Sequence, residues 1–246
     1  MSKVALITGA AKGIGKAIAT ELAKNNYHVV INYLTSEKEA IELQKTLSSF
    51  GVNVFIYQAD ISKEDEVDNM LNFIKDKLGG VDILINNAAI DLSGLWNDKN
   101  IDIFKRTLEV NLLGAYMLSR KVAPYMMDKK WGRIINISST NGINTYYPMC
   151  VEYDASKAAL ISLTHNLAVK YAPYINVNAI APGFIATESE LEGYDEEFLK
   201  QEESKILLAR AGKPDEVAKL VKFLVSDDAN YINNSVIRID GGQFGA

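Results

Sequence analysis

Short apolar runs alternate with longer amphipathic stretches along the chain. The short runs predict β-strands, and the stretches whose apolar residues recur with a helical period predict α-helices. The predicted strands are residues 4–8, 28–33, 52–58, 81–85, 133–137, 175–180 and 235–239. The predicted helices are residues 16–24, 36–51, 62–78, 101–129 and 151–171, and a last one that begins at Pro214. Because alternating strands and helices form parallel β-α-β units, we predict an α/β fold with a doubly wound parallel sheet inside a three-layer αβα sandwich.

Polar residues mark the starts of two predicted helices. Ser36 and Glu39 have the spacing of a capping box, and Ser62 is the predicted N-cap of the next helix. Residues 188–197 are strongly acidic and are predicted to form a solvated lid over the substrate. Since no linker, repeat or low-complexity tract separates the elements, residues 1–246 are predicted to form a single domain.

The composition is that of a soluble globular protein, with 48% hydrophobic and 23% charged residues. A net charge of −5 argues against binding to nucleic acid or to an anionic membrane, which leaves a small molecule or another protein as the expected partner. The single cysteine, Cys150, and two distant histidines, His28 and His165, predict neither an internal disulfide nor a metal site. With no signal peptide or membrane-spanning run in the sequence, we expect a cytoplasmic protein.

A glycine-rich segment, TGAAKGIG at residues 8–15, joins the first predicted strand to the first helix. Glycines at such a junction let the backbone turn sharply and approach a pyrophosphate, and the N–H groups at the helix start favour its negative charge. The glycine spacing is one residue longer than in the common Rossmann fingerprint. The segment therefore predicts a Rossmann-type dinucleotide site that uses Gly9, Gly13 and Gly15.

The end of the second strand favours NADP(H) over NAD(H). A fold that prefers NAD usually has an acidic residue there, which binds the ribose 2′-hydroxyl. This chain has Asn32, Tyr33 and Leu34 instead, and none of them is acidic. Lys12 and the N–H groups near Ser36 would attract a 2′-phosphate.

Tyr153 and Lys157 lie four residues apart in a predicted helix, so they share a face. A nearby ammonium group stabilises a phenolate and lowers the pKa of a tyrosine towards neutral pH. Tyr153 is therefore the candidate that donates a proton to a carbonyl oxygen, or removes it in the reverse reaction. Ser139 ends the fifth strand, at the sheet edge where ligands bind in such folds, but side-chain alternation alone leaves Ser138 and Thr140 as alternatives.

The order and spacing of these motifs resemble the short-chain dehydrogenase/reductase family over nearly the whole chain. The shared segments are residues 8–15, Asp60-Ile61, Asn86-Asn87-Ala88-Ala89, Asn111, Ser139, Tyr153-Asp154-Ala155-Ser156-Lys157, Pro182-Gly183-Phe184-Ile185-Ala186-Thr187 and Asp240-Gly241-Gly242. Ala89 stands where the family most often has glycine, a small change that we expect to be tolerated. The resemblance points to Ser139 as the serine that holds the substrate oxygen, and it implies that Asn111 holds a water near Lys157.

The resemblance implies two sets of site residues. The catalytic set is Asn111, Ser139, Tyr153 and Lys157. The cofactor set adds to the glycine turn the segments that would contact adenine, ribose and nicotinamide: Gly9, Lys12, Gly13, Ile14, Gly15, Asp60, Ile61, Asn87, Ala88, Ala89, Tyr153, Lys157, Pro182, Gly183, Ile185 and Thr187. The pocket-lining candidates for specificity are Leu95, Trp96, Tyr146, Tyr147, Met149 and Cys150, whereas His165 is expected to have no chemical role.

The activity that the resemblance implies is hydride transfer between NADP(H) and a carbonyl or secondary alcohol. The likeness is strongest to the 3-oxoacyl-(acyl-carrier-protein) reductases of fatty-acid synthesis, in residues 210–217 and 231–242. Such enzymes need a basic patch to meet the acidic acyl carrier protein, and Lys129, Lys130 and Arg133 are the candidates for it here. A sugar or polyol dehydrogenase of the glucose or ribitol type is the alternative, and a non-catalytic NADP-binding regulator is a second alternative.

The family also implies a homotetramer. The expected contacts are the long helical regions, residues 101–129 and 151–171, and the last strand. An acyl thioester or another small molecule is the expected substrate.

Overall fold

The computed structural model describes residues 2–92, 99–144, 147–193 and 195–243, and these form one sheet of seven parallel strands with helices on both faces. The strands are β1 (Val4–Ile7), β2 (His28–Tyr33), β3 (Val54–Gln58), β4 (Ile83–Asn86), β5 (Gly132–Ile137), β6 (Ile175–Pro182) and β7 (Val236–Ile239). Their order across the sheet is β3-β2-β1-β4-β5-β6-β7. The predicted doubly wound α/β fold is confirmed.

Helices follow the strands as the sequence pattern predicts. They are α1 (Gly13–Lys24), α2 (Glu37–Ser48), α3 (Glu64–Leu78), α4 (Ile101–Leu108), α5 (Ala115–Asp128), α6 (Val151–Tyr171), α7 (Glu188–Gly193), α8 (Glu196–Ser204) and α9 (Pro214–Val225). Alternate residues of a buried strand point to opposite faces of the sheet, so the fold has two apolar cores. Helices α1, α2 and α9 cover one core, and α3, α5 and α6 cover the other.

The helix starts differ from the predictions in two places. Ser36 is at the N-cap position of α2, as predicted, but its side chain makes no capping bond, and Glu39 forms an ion pair with Lys12. Ser62 is not the N-cap of α3, since Lys63 holds that position and the Ser62 hydroxyl donates to Asp60 at 2.7 Å. The two predictions failed for different reasons: Glu39 has a partner distant in the sequence, Lys12, whereas Ser62 bonds Asp60, only two residues before it.

The long helix predicted over residues 101–129 is interrupted by a π-helical segment, Glu109–Gly114, which separates α4 from α5. Such segments are rare and recur at functional sites. The acidic stretch after β6, predicted to form a solvated lid, contains α7 and the start of α8.

The carboxyl ends of parallel strands share one edge of the sheet, and β1 pairs with β2 on one side and β4 on the other. Strands β2 and β3 lie on one side of β1, and β4 to β7 lie on the other. Because the strand order reverses at β1, the connections on its two sides diverge and leave a crevice at this edge. Lys129, Lys130 and Arg133 lie at the other edge, where β5 begins, and Arg133 is buried with 2% of its surface exposed. The predicted basic patch near the site entrance was therefore wrong.

Candidate active site

The glycine turn lies at the crevice, and its backbone conformation and close packing require glycine. Gly9 and Gly13 have φ angles of 61° and 54°, which side chains other than glycine rarely adopt. A Cβ atom at Gly15 would lie 2.6 Å from the Gly9 carbonyl oxygen, so this position needs glycine for close approach. The N-cap of α1 is Lys12, whose side chain makes no capping bond, so the N–H groups of the first turn are left for an anion.

Thr8 and Asn87 fasten this turn to the end of β4. The Thr8 hydroxyl accepts hydrogen bonds from the backbone N–H groups of Asn87 and Ala88, at 3.0 and 2.9 Å. In return, the Asn87 amide donates to the carbonyl oxygens of Thr8 and Gly9, at 2.9 and 3.2 Å. Asn87 therefore acts on the backbone of the turn, and Thr8 is its partner, which the sequence analysis did not single out.

Asp60 lies at the carboxyl end of β3 and is held by Arg106 of α4. The Arg106 guanidinium donates to Asp60 at 2.8 Å and to the Ser62 hydroxyl at 2.7 Å. Although burial opposes it, hydrogen bonding from Ser62 and Arg106 keeps the pKa of Asp60 below its ordinary value. Asp60 is thus a fixed carboxylate, and its neighbour Arg106 has no local signature in the sequence.

These residues line a first cleft of about 360 Å³, between the glycine turn and the ends of β2 and β3. The predicted residues that line it are Gly9, Lys12, Asp60, Ile61, Asn87, Ala88 and Ala89. Asp60 is the one carboxylate among its described lining residues. Lys12 lies at its rim with its ammonium 2.8 Å from Glu39, and the hydrogen bond donated to Glu39 raises the pKa of Lys12.

Tyr153 and Lys157 lie on α6, as predicted. The Lys157 ammonium is 5.3 Å from the centre of the Tyr153 ring and donates to the carbonyl oxygen of Ile137 at 2.8 Å. Lys157 is buried, and burial lowers its pKa to about 8. The lysine is therefore fixed beside the tyrosine and still charged at neutral pH.

The neighbouring residues Ser138 and Ser139 make different hydrogen bonds. The Ser138 hydroxyl is buried and donates to the Lys157 carbonyl oxygen at 2.8 Å, which ties β5 to α6. The Ser139 hydroxyl accepts from the N–H of Asn141 at 3.1 Å, at the start of a short 3₁₀ turn. The Ser139 hydroxyl also donates to the Asn141 side-chain oxygen at 3.4 Å, a longer hydrogen bond than the 2.8 Å bond of Ser138, so a ligand oxygen can replace that acceptor more readily.

Asn111 sits in the π-helical segment and is buried. Its side chain accepts from the Ile90 N–H at 2.8 Å, and donates to the Ile90 carbonyl oxygen and to the Ser156 hydroxyl, both at 3.0 Å. It therefore fastens the chain after β4 to α6, one residue before Lys157.

The chain after β6 is held against the C-terminal segment. Ile185 forms a parallel bridge with Gly212, and the N–H of Thr187 donates to the Ile185 carbonyl oxygen at 2.8 Å. A Cβ atom at Gly183 would lie 2.6 Å from the Cβ of Asp240, so the two segments approach closely here.

A second cleft of about 880 Å³ lies between α6, the chain after β6 and α8. The predicted residues that line it are Ile14, Asn87, Ala89, Ser139, Tyr147, Met149, Cys150, Tyr153, Lys157, Pro182, Gly183, Ile185 and Thr187. Asn87 and Ala89 line both clefts. Gly13, Gly15 and Asn111 line neither, whereas Leu95, Trp96 and Tyr146 lie outside the described residues. His165 is exposed and contacts Asn234.

The described part of the chain contains neither a cluster that could hold a metal ion nor a helix that could cross a membrane. No group of three or more His, Cys, Asp and Glu residues there is placed to hold a metal ion. None of the helices in this part is long and apolar enough to cross a membrane.

Known proteins with similar sequences and structures were then compared. A family model described as Enoyl-(Acyl carrier protein) reductase matches residues 9–243. The chain is 36% identical over 245 residues to 3-oxoacyl-(acyl-carrier-protein) reductase FabG of Staphylococcus aureus, with 99% of each chain covered. It is 34% identical over 244 residues to Glucose 1-dehydrogenase 2 of Bacillus subtilis, which covers 98% of this chain and 94% of the relative. The crystal structure of acetoin dehydrogenase YohF from Salmonella typhimurium matches with a TM-score of 0.89 and 33% identity, over 99% of this chain and 96% of the other. These relatives are named for different substrates.

Proposed function

The chain belongs to the short-chain dehydrogenase/reductase family, and we propose that it transfers hydride between NADP(H) and a carbonyl group or secondary alcohol, with Tyr153 as the acid and base. The observation that carries this proposal is the buried Lys157 ammonium, fixed by the Ile137 carbonyl oxygen beside the Tyr153 ring. The pair lines the same cleft as Ser139 and Asn87, and the Asn87 amide bonds the Gly9 carbonyl oxygen of the glycine turn.

The described residues fit a nicotinamide dinucleotide. The uncapped start of α1 and the glycine turn suit a pyrophosphate, and the first cleft accommodates the adenosine end near Asp60 and Ile61. Ile185 and Thr187 would hold the nicotinamide end in the second cleft. When bound, the nicotinamide supplies or accepts the hydride.

The side chains of the second cleft would move the proton. Ser139 donates a hydrogen bond to the substrate oxygen and orients it towards Tyr153. The Tyr153 hydroxyl gives its proton to that oxygen during reduction, and the Lys157 ammonium stabilises the phenolate that forms. A proton from solvent then restores the phenol. In the oxidation direction Tyr153 removes the proton from the alcohol.

NADP(H) is favoured by the charges around the first cleft. Asp60 already accepts hydrogen bonds from Arg106 and Ser62, which weakens its capacity to bind a ribose hydroxyl. Lys12 can reach a 2′-phosphate once it releases Glu39, and an exposed ion pair of this kind costs little to open.

Two substrate classes follow from the comparisons and the pocket. Likeness to the FabG reductase supports reduction of a 3-oxoacyl thioester, in which the acyl group is attached to the acyl carrier protein. Polar residues in the second cleft, among them Glu202 and Lys205, favour a hydroxylated substrate as the second candidate.

Exposed apolar residues on the helices that cover one face of the sheet support a homotetramer. Leu113, Tyr116 and Val169 are 52%, 42% and 75% exposed, on the π-helical segment, α5 and α6. Light scattering of the purified protein would test this assembly.

The activity test is NADPH oxidation with acetoacetyl-CoA, run beside NADH, and beside NADP⁺ reduction with glucose or ribitol. Rapid NADPH oxidation supports thioester reduction, and sugar or polyol oxidation supports the second candidate. Binding of NADPH without turnover of any carbonyl or alcohol would contradict the proposal and favour a non-catalytic regulator.

A further inference from the structure

One wall of the second cleft is a connected set of polar side chains, Tyr147, Glu202 and Lys205, which we name the Glu202 cluster. The Glu202 carboxylate accepts from the Tyr147 hydroxyl at 2.8 Å and from the Lys205 ammonium at 2.7 Å. Glu202 has 4% of its surface exposed. A carboxylate so far removed from solvent, in a cavity that suits a ligand, has a strong need for hydrogen-bond donors.

The cluster has hydrogen-bonding capacity beyond its internal contacts. A carboxylate offers about four acceptor positions, and an ammonium group about three donors. Among the described residues, Glu202 has two side-chain donors, one from each neighbour, and the Lys205 ammonium has this one hydrogen bond. A ligand group that both donates and accepts, such as a hydroxyl, could therefore bind between them.

The cluster is joined to the reacting groups by a chain of hydrogen bonds. The N–H of Tyr147 donates to the Asp154 carboxylate at 3.1 Å, and the Asn141 amide donates to the same carboxylate at 2.7 Å. Asn141 in turn bonds the Ser139 hydroxyl through its own N–H. Because Asp154 directly follows Tyr153, the cluster has a fixed position relative to both Ser139 and Tyr153.

The chemistry of the cluster distinguishes the two substrate classes. An alkyl chain pressed against Glu202 and Lys205 would displace water from both charged groups and replace none of its hydrogen bonds. A hydroxyl at the same place restores those bonds, and hydrogen bonds to charged groups discriminate more strongly than apolar contacts do.

We infer that the Glu202 cluster selects substrates that carry a hydroxyl group beyond the reacting carbonyl, with Glu202 accepting the hydrogen bond from that hydroxyl. The inference rests on the proposed hydride transfer, and it selects hydroxylated ketones, sugars and polyols over substrates with an alkyl chain at that position.

The test compares two ketones with equal numbers of non-hydrogen atoms, 4-hydroxy-2-butanone and 2-pentanone, by NADPH oxidation with the full-length protein. We expect kcat/KM to favour the hydroxyketone by about 10- to 100-fold, as for a hydrogen bond to a charged group. The Glu202→Gln variant keeps the size of the side chain and removes its charge, so the ratio of the two kcat/KM values should fall about tenfold.

A matched control is Glu197→Gln, an exposed acid on the same helix, which should leave the ratio unchanged. If Glu202→Gln lowers kcat/KM for both ketones equally, Glu202 has a structural role and the inference is wrong. Equal use of both ketones by the wild-type protein also overturns it, while the proposed hydride transfer stands. Failure to oxidise NADPH with either ketone and with acetoacetyl-CoA would overturn both.

Discussion

The two clefts that meet at Asn87 and Ala89 are built by different means. The first is shaped by backbone: glycines with positive φ angles, an uncapped helix start, and side chains such as Thr8 that bond main-chain groups. The second is shaped by side chains of segments far apart in the sequence, with Tyr147 meeting Glu202 across 55 residues. The first construction suits a constant ligand, and the second allows substrates to vary while the reaction stays the same.

The variant with the largest expected effect is Tyr153→Phe, which tests whether the two clefts have separate roles. We expect kcat to fall by about 10²- to 10⁴-fold, because the variant lacks the proton that general acid catalysis requires. NADPH affinity, measured by fluorescence titration, should change little, because the first cleft keeps all its contacts. Turnover at the wild-type rate would remove Tyr153 from the catalytic role.

The second test uses the buried cation that supports Tyr153. Because the pKa of Lys157 is about 8 in the folded state against 10.5 for a lysine in water, the unfolded chain binds more protons between these values. The free energy of unfolding contributed by this group therefore rises with pH across that window, by up to about 3 kcal/mol.

Urea unfolding of the wild-type protein and of Lys157→Met, from about pH 7 to 10, measures this contribution. The wild-type protein should gain stability relative to the variant as the pH rises above about 8. A difference between the two proteins that stays constant over this range would contradict the burial of a charged lysine. Lys157→Arg, which keeps its charge throughout, should lack the wild-type pH dependence.

The third test loosens the junction between the glycine turn and the end of β4, where the two clefts meet at Asn87. Thr8→Val keeps the shape of the side chain but leaves the N–H groups of Asn87 and Ala88 without their acceptor. We expect a loss of about 2 kcal/mol in the free energy of unfolding, with weaker NADPH binding. Thr20→Val, in which the removed hydroxyl bonds its own helix at an exposed position, is the matched control and should cost less.

The difference between backbone and side-chain construction also decides which parts of the clefts can be predicted from the sequence. Gly9, Gly13 and Gly15 have a local backbone reason, so the strand, turn and helix that they join could be placed from the sequence, and the fold followed from the alternation. Arg106 and Glu202 meet their partners only through tertiary packing, which leaves no local signature. Glu39 shows the limit most clearly, because its spacing from Ser36 predicts a cap while the folded chain pairs it with Lys12.

The smallest expected effect lies at the rim of the first cleft. In Glu39→Gln, Lys12 loses its ion-pair partner and becomes available to a 2′-phosphate, so NADPH affinity should rise by about two- to fivefold while NADH affinity stays constant. The gain should shrink as salt is raised, because exposed charges are screened. Glu42→Gln, on the same helix, is the control. If NADH gains affinity as much as NADPH does, Glu39 acts on binding in general, and the 2′-phosphate is not the group that Lys12 selects.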